Sequence, residues 1–326
     1  MYQRFYGLRE LPFELTSNPK YLYLTASHRE ALSNLEYGLF AAKSLTVLIG
    51  EAGTGKTTLL RAALESERCR AVRCVYVNNP ALTRAEFVTM LAARFSMTDD
   101  ASRSKASLLE ELERVLRERR DRGEITALVV DEAQALSTEL LEEIRLLANI
   151  ETNDEKLLPL VLAGQPELSD RLEDWELRQL KQRVALRCEI APFQLPETAA
   201  YIATRIRVAG GTPSRLFTRE AIALIHEYSG GIPRIVSVIC DNALVSGMAL
   251  ERQPVDRSIV FEVSRDFRLR GDGESGQGLS AGTELIETVE SASPPEPATS
   301  PSTAKIDAAD AGSRPRRFSL FGSRSG

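Results

Sequence analysis

Short apolar segments alternate with amphipathic segments through the first 195 residues of the chain. The apolar segments are rich in Val, Leu and Ile, and the segments between them have the 3.6-residue periodicity of helices. Such alternation predicts an α/β fold in which helices cover both faces of a five-stranded parallel sheet. The predicted strands are Thr46–Gly50, Val72–Val77, Ala127–Asp131, Leu158–Ala163 and Ala185–Ile190.

The strand pattern stops after Pro196, where only helical periodicity continues. This part predicts a small all-helical domain. Its predicted helices are Glu197–Ala209, Thr218–Ser229, Pro233–Leu250 and Asp256–Leu269. We therefore divide the chain into a lead-in that packs on the α/β core (1–43), an α/β domain (44–195), a helical domain (196–270) and a tail (271–326).

The tail is rich in Gly, Ser, Pro, Ala, Thr and Glu and has too few large apolar residues to fold, so we predict disorder. Its end, Arg314–Arg324, combines cations with bulky apolar residues. Two interpretations remain open for this end. It docks on a partner or an anionic surface, or it belongs to an unattached solubilising tail, which is the favoured interpretation.

Composition narrows the classes of partner. The formal net charge is −5 and the pI is near 5.5, so no global argument favours nucleic acid or an anionic membrane, although a local basic patch stays open. The four cysteines lack metal-ligand spacing and predict reduced core thiols in a cytosolic protein. No signal peptide and no apolar run of ~20 residues is present, so we expect membrane contact only through a partner or at the periphery.

A glycine-rich motif follows the first predicted strand, where residues 50–57 read G-E-A-G-T-G-K-T before a helical segment. In this context the backbone N–H groups surround phosphates, and the helix N-terminus favours the anion. Lys56 is expected to reach the β- and γ-phosphates and Thr57 to ligate Mg²⁺, which predicts binding of a nucleoside triphosphate with Mg²⁺. The predicted nucleotide-contacting residues are Gly50, Glu51, Ala52, Gly53, Thr54, Gly55, Lys56, Thr57, Thr58 and Asp131.

Two adjacent carboxylates end the third predicted strand, in the sequence Ala127-Leu-Val-Val-Asp-Glu. Such a pair is typical of a Walker B motif. Asp131 would hold the metal ion, and Glu132 would orient and polarise the attacking water. The alternative is that both acids only favour the N-terminus of the following helix.

The order of these motifs resembles that of the AAA+ ATPases, and within them the secretion ATPase branch typified by general secretion pathway protein A. The resemblance covers roughly residues 1–265, and it extends to origin-recognition and transposition-helper ATPases. The motifs that carry it begin at Phe13 (FELTSNP), Tyr21 (YLYL), Gly50 (GEAGTGKTTLLR), Asp131 (DEAQALS), Leu141 (LEEIRLL), Gly164 (GQPEL), Leu177 (LRQLKQR) and Gly231 (GIPR).

The resemblance implies further site residues. Gln165 occupies the sensor 1 position, where its amide would hold the water or the γ-phosphate, although it is nearly as well explained as a turn residue before Pro166. Arg234 occupies the sensor 2 position on a lid helix, where it would contact phosphate. Tyr21 and Tyr23 lie where related proteins close over the adenine, but core packing explains them as simply.

An arginine finger is also implied by the resemblance. Arg183, with Arg178 as second choice, precedes the last strand and would reach the nucleotide of a neighbouring subunit. The alternative is pairing with acids on its own surface. A shared site of this kind implies a homo-oligomer.

The resemblance implies a cytoplasmic ATPase that assembles or remodels secretion or polysaccharide-export machinery, with a partner in the inner membrane. Members of the family often continue into a membrane span and a peptidoglycan-binding module. The sequence departs from that pattern, since neither follows its polar tail, and this departure puts direct cell-wall binding in doubt. Two other functions stay open. One is an ATPase of DNA transactions, for which nucleic acid is possible but not favoured, and the other is a nucleotide-dependent switch without hydrolysis.

Overall fold

Five parallel strands form one sheet in the spatial order β2–β3–β4–β1–β5. The computed structural model describes residues 1–15, 19–78, 82–98 and 104–266. The sheet comprises β1 Leu45–Gly50, β2 Val72–Val77, β3 Ile125–Val130, β4 Leu160–Gly164 and β5 Val184–Ile190. Each strand overlaps one predicted from the sequence, and the predicted parallel sheet is confirmed.

Several strand ends differ from the predictions by one or two residues, and two of these differences have a clear bearing on the site or a clear cause. β3 ends at Val130, so Asp131 is the first residue beyond the strand, although its N–H still donates to Val77 O at 2.8 Å. β4 begins at Leu160, two residues later than predicted. Pro159 explains this delay, because proline has no N–H to donate to a neighbouring strand.

Helices flank the sheet, and four of them begin at side-chain caps. The flanking helices are α2 Ala26–Phe40, α3 Lys56–Glu65, α4 Arg84–Phe95, α5 Lys105–Asp121, α6 Thr138–Leu147, α7 Pro166–Glu173 and α8 Arg178–Lys181. The caps Thr25, Thr83, Ser104 and Ser137 each accept a backbone N–H from the first turn of the helix that follows. The backbone N–H of Thr83 donates in turn to the carboxylate of Glu86, which completes a capping box.

Both faces of the sheet are buried. Alternate side chains of a strand point to opposite faces. In β1, Leu45 and Val47 belong to the cluster under α4, α5 and α6, whereas Leu48 belongs to the cluster with Leu35 of α2 and Leu59 of α3. This two-sided burial is why the strands are almost continuously apolar.

Between β5 and Asp266, where the description of the chain ends, helices are the only regular elements, which confirms the predicted helical part. They are α9 Leu195–Val208, α10 Pro213–Leu216, α11 Arg219–Ser229, α12 Pro233–Ala249 and α13 Arg257–Asp266. The sequence did not predict α10, a single turn that begins at Pro213. The predicted end of the last helix, Leu269, and the whole predicted tail lie outside the described residues.

The N-terminal segment divides between two packing regions. Helix α1 (Tyr2–Tyr6) and Phe13 are buried in one cluster with residues of α9, α11, α12 and α13, and Tyr6 Oη donates to Leu244 O at 3.2 Å. Helix α2 instead packs against the sheet, where Leu35 and Leu39 are fully buried. The domain boundaries predicted at residues 43, 195 and 270 stay predictions.

Candidate functional site

The glycine-rich loop connects β1 to α3 at the carboxyl edge of the sheet. Gly50 ends β1, residues 51–55 form the loop, and Lys56 begins α3. Gly53 has φ +84°, and a Cβ there would lie 2.9 Å from Cβ of Arg234. Since other residues rarely adopt this conformation, glycine is required both by the backbone and by the close approach of α12.

Lys56 is buried over this loop, with 5% of its surface exposed. Its Nζ donates to Gly50 O at 2.8 Å and to Glu51 O at 3.0 Å. Burial lowers the pKa of the Lys56 ammonium, and the nearby carboxylates of Glu132 and Asp131 oppose that shift. The ammonium is therefore held within the loop, where it can meet phosphate oxygens.

Asp131 and Thr57, which the sequence predicts as metal ligands, are in contact. Asp131 is 3% exposed, and its Oδ2 accepts the Thr57 hydroxyl at 2.6 Å and the Tyr76 hydroxyl at 2.8 Å. Oδ1 accepts the backbone N–H of Glu132 at 2.9 Å. Hydroxyl and carboxylate oxygens are the ligands that Mg²⁺ prefers, so this pair fits that ion.

Tyr76 was not predicted from the sequence. It lies near the end of β2, beside Val129 of β3, and its hydroxyl reaches across to Asp131. Burial, together with the hydrogen bond to Asp131, raises the pKa of Tyr76, so this hydroxyl stays protonated and acts as a donor. A tyrosine within an apolar strand gave no signal of this contact.

Glu132 lies in a strained turn and contacts two amide side chains. Its φ is +54°, a value uncommon for residues other than glycine. Its Oε2 accepts Gln134 Nε2 at 2.7 Å and Gln165 Nε2 at 3.5 Å. The N–H of Gln165 in turn donates to Gln134 Oε1 at 3.1 Å. Gln134 is therefore the main side-chain contact of the Glu132 carboxylate, and the sequence analysis assigned it no role.

The first turn of α12 lies on the glycine-rich loop. The backbone N–H of Arg234 donates to Gly53 O at 3.2 Å. Arg234 also lines a cleft of about 360 Å³ together with Lys56, Thr57 and Glu132. The structure thus brings together the predicted loop residues, Glu132 and Arg234, although they come from distant parts of the sequence.

A smaller aromatic pocket of about 90 Å³ adjoins this cleft. Its aromatic walls are Tyr21, Tyr23, His28, Phe193 and Tyr201. His28 Nε2 lies 3.1 Å from Thr54 O, and Nδ1 lies 2.7 Å from Thr25 Oγ1. Burial lowers the pKa of His28, so the neutral ring is favoured. Flat aromatic walls next to a phosphate-binding loop suit a planar base.

The two candidate arginine fingers lie elsewhere. Arg178 donates to Trp175 O at 3.2 Å, and its guanidinium is 3.4 Å from the centre of the Trp175 ring. Arg183 is exposed between α8 and β5, near Glu151. Within the described part of the chain, neither arginine lines the cleft that contains Lys56. Each is therefore available to act outside its own chain.

Arg205 of α9 is a further residue that the sequence analysis missed. It is 7% exposed, and its NH1 donates to Tyr201 Oη at 2.7 Å. It lines both the cleft and the aromatic pocket. No sequence pattern indicates that Arg205 is buried, because an arginine among apolar helix positions is typical of a surface residue.

Comparisons with known proteins agree with this fold. A family described as AAA domain matches residues 41–172. General secretion pathway protein A of Aeromonas hydrophila is 38% identical over 293 residues, covering 88% of this chain and 53% of that protein. The chain thus spans about half the length of this curated relative.

Solved structures with low sequence identity share the fold. The ORC2 protein of Aeropyrum pernix, solved as ADPNP–ADP complexes, has a TM-score of 0.56 at 16% identity, with 78% of this chain and 71% of that chain covered. Cdc6p of Pyrobaculum aerophilum has a TM-score of 0.56 at 19% identity, with coverages of 77% and 70%. At these identities the likeness shows the fold alone.

Helices of the described residues are too short or too polar for any of them to cross a membrane. Strands β1 to β4, the glycine-rich loop after β1 and the acidic pair after β3 all lie within residues 41–172, which match the AAA domain. The chain has an AAA-type P-loop fold, with a match to the AAA domain at residues 41–172, and is similar to general secretion pathway protein A over 88% of its length.

Proposed function

We propose that this protein binds ATP with Mg²⁺ and hydrolyses it to ADP and phosphate. The observation that carries the proposal is the grouping of Lys56, Thr57 and Glu132 around one cleft, with Asp131 hydrogen-bonded to Thr57. A non-hydrolysing switch would need Lys56, Thr57 and Asp131 but has no use for a carboxylate held beside the cleft. Glu132 therefore favours hydrolysis.

Each residue has a distinct role in this proposal. Lys56 binds the β- and γ-phosphate oxygens, and Thr57 with Asp131 holds Mg²⁺. The metal ion supplies positive charge that offsets the charge of the transferred phosphoryl group. Glu132 orients the attacking water and accepts its proton, while Arg234 binds phosphate from α12.

Arg183, or else Arg178, completes the site of a second copy of the chain. Both arginines are exposed, and Arg178 also stacks on the exposed ring of Trp175. Neither lines the cleft around Lys56 of its own chain. A cation that neutralises the γ-phosphoryl oxygens accelerates phosphoryl transfer about 10³–10⁵-fold in other systems. The protein is therefore proposed to act as a homo-oligomer with shared sites.

The cellular role is proposed from the relative's name. General secretion pathway protein A is similar over 88% of this chain, so we propose that hydrolysis drives assembly or remodelling of secretion or polysaccharide-export machinery. The protein would work on the cytoplasmic side of the inner membrane, through a membrane partner. This role remains an analogy with a protein of which the chain covers about half.

Handling of DNA is less well supported. The arginines of α5 are the candidates for a local basic patch. In the structure, Arg114 pairs with Glu118 and Arg117 pairs with Glu113 on the same helix, while Arg120 pairs with Glu155. Charges paired in this way leave little net attraction for phosphates.

ATP binding and turnover of the native chain, Lys56→Ala and Glu132→Gln test the enzymatic proposal. We expect Lys56→Ala to lose binding, and Glu132→Gln to keep binding but lose at least about 10²-fold in turnover, as for a general base. Retained affinity and turnover in Lys56→Ala would refute the site. Turnover unchanged in Glu132→Gln would instead favour the switch.

Turnover at increasing protein concentration tests the shared site. Specific activity should rise with concentration in the native chain and fall about 10³-fold in Arg183→Ala at saturating concentration. Arg187→Ala, an exposed arginine of β5, is the matched control. Concentration-independent activity that survives Arg183→Ala and Arg178→Ala would show a self-contained site, and salt-sensitive stimulation by duplex DNA would favour DNA handling.

A further inference from the structure

Arg205 is a buried cation without an acidic partner in the described ranges of the chain. Its Nε donates to Pro12 O, its NH2 to Glu14 O at 3.0 Å and its NH1 to Tyr201 Oη at 2.7 Å. Its guanidinium also lies 4.7 Å from the centre of the Tyr21 ring. Buried charges are normally paired with an opposite charge, so neutral partners alone leave the guanidinium uncompensated.

The position of Arg205 indicates which anion would compensate it. The cleft around Lys56 and the aromatic pocket share a wall formed by Gly55, Thr58, Tyr201, Arg205 and Pro233. A nucleotide with its terminal phosphates at Lys56 and its base in the aromatic pocket places the ribose and α-phosphate at that shared wall. Arg205 is the charged side chain of this wall.

The guanidinium also retains capacity for a ligand. It has five N–H donors in a planar fork, and its contacts with Pro12, Glu14 and Tyr201 use three of them. The remaining donors suit the oxygens of a phosphate, which arginine binds through charge-assisted hydrogen bonds.

We propose that Arg205 binds the α-phosphate of the nucleotide and is a further nucleotide-binding residue of the site. This inference rests on the proposed function, because it takes ATP as the ligand. The same guanidinium holds the carbonyls of Pro12 and Glu14, so the nucleotide and the N-terminal segment share one cation. The α-phosphate therefore stabilises the packing of residues 12–14 against α9.

The test measures dissociation constants by calorimetry in a Glu132→Gln background, which limits hydrolysis. The probes are ATP and the two diastereomers of ATPαS, in which sulfur replaces one or the other non-bridging oxygen of the α-phosphate. A guanidinium bound to one of these oxygens distinguishes the diastereomers. The variants are Arg205→Gln, Arg205→Lys and the control Arg207→Gln, an exposed arginine on the same helix.

We expect Arg205→Gln to weaken ATP binding about tenfold or more, the range of a hydrogen bond to a charged group. It should also change the affinity ratio of the diastereomers at least about threefold, with Arg205→Lys intermediate and Arg207→Gln like the parent. An affinity within about twofold of the parent would overturn the proposal. So would an equal loss for ATP and both diastereomers, because that result shows a structural role alone.

Two controls keep the outcome decisive. If Arg205→Gln fails to fold, Arg205→Lys still decides, because it keeps the charge and loses the planar fork. Phe13→Leu loosens the same N-terminal segment in the helical cluster but leaves the guanidinium, so it should lower Tm without changing the diastereomer ratio. A parent chain that bound no ATP would refute the proposed function instead.

Discussion

Gln134 offers a direct test of how Glu132 is positioned. Gln134→Leu removes an amide that donates to Glu132 Oε2 at 2.7 Å and accepts the N–H of Gln165 at 3.1 Å. Leucine has a similar volume, so the packing beside Gly164 and Leu168 is largely kept. The substitution therefore removes orientation of the carboxylate rather than the carboxylate itself.

The magnitude follows from the geometry. A hydrogen bond to a charged acceptor contributes about 1.5–3 kcal/mol. If that contribution is needed in the transition state, its loss lowers kcat about 10- to 100-fold. Gln134 does not line the cleft around Lys56, so the affinity for ATP should change by less than about threefold.

Steady-state turnover and ATP titration of the native chain, Gln134→Leu and Gln165→Leu provide the assay. Gln182→Leu, an exposed glutamine at the end of α8, is the matched control and should behave like the native chain. A kcat within about threefold of the native value in Gln134→Leu would refute the positioning role.

Gln165→Leu separates the two interpretations that the sequence left open. The contact of Gln165 with Glu132 is long, at 3.5 Å. If Gln165 only supports Glu132, Gln165→Leu should therefore lower kcat less than Gln134→Leu does. A loss larger than that of Gln134→Leu would indicate direct contact with the water or the γ-phosphate. No loss at all would favour a turn residue before Pro166.

Two further predictions concern the buried polar groups. Tyr76→Phe removes the 2.8 Å hydrogen bond to Asp131, so the free energy of unfolding in urea should fall by about 1–2 kcal/mol. In a chain that already carries Asp131→Ala, the same substitution should leave the free energy of unfolding unchanged. Burial lowers the pKa of His28 below its unfolded value of about 6.5, so its contribution to stability is present above that pH and is lost as the pH falls through the folded pKa. His28→Gln should therefore lose less stability than the native chain between pH 7.5 and 5.5, about the range in which histidine titrates, whereas an unchanged pH dependence would assign the effect to His226.

The fold could be read from the sequence because its signals are local. Strand β1 is buried along its whole length and is apolar except at Thr46, since both of its faces are covered, and the glycines of the loop follow it directly. The sequence also predicted Thr57 and Asp131 as ligands of one metal ion. The two are in contact because β1 and β3, which their motifs follow, end at the same edge of one parallel sheet, with β4 between them.

The missed residues depend on tertiary contacts. Tyr76 meets Asp131 across adjacent strands, Gln134 reaches Glu132 because of a turn with positive φ, and Arg205 contacts carbonyls almost 200 positions away. Spacing along the chain carries no signal for any of these three. Arg183 differs from them, because its predicted partner is another copy of the chain.

The glycine-rich loop is held from two sides through its own carbonyl groups. Gly53 O accepts the N–H of Arg234 from α12, and Thr54 O lies 3.1 Å from His28 Nε2 of α2. The neutral ring of His28 donates there, because the Thr25 hydroxyl can serve as the donor to Nδ1. A peptide group carries its N–H and C=O in one plane, so the loop cannot turn N–H groups toward phosphates without moving these carbonyls. Any rearrangement of the loop on nucleotide binding must therefore either break these contacts or carry α2 and α12 with it.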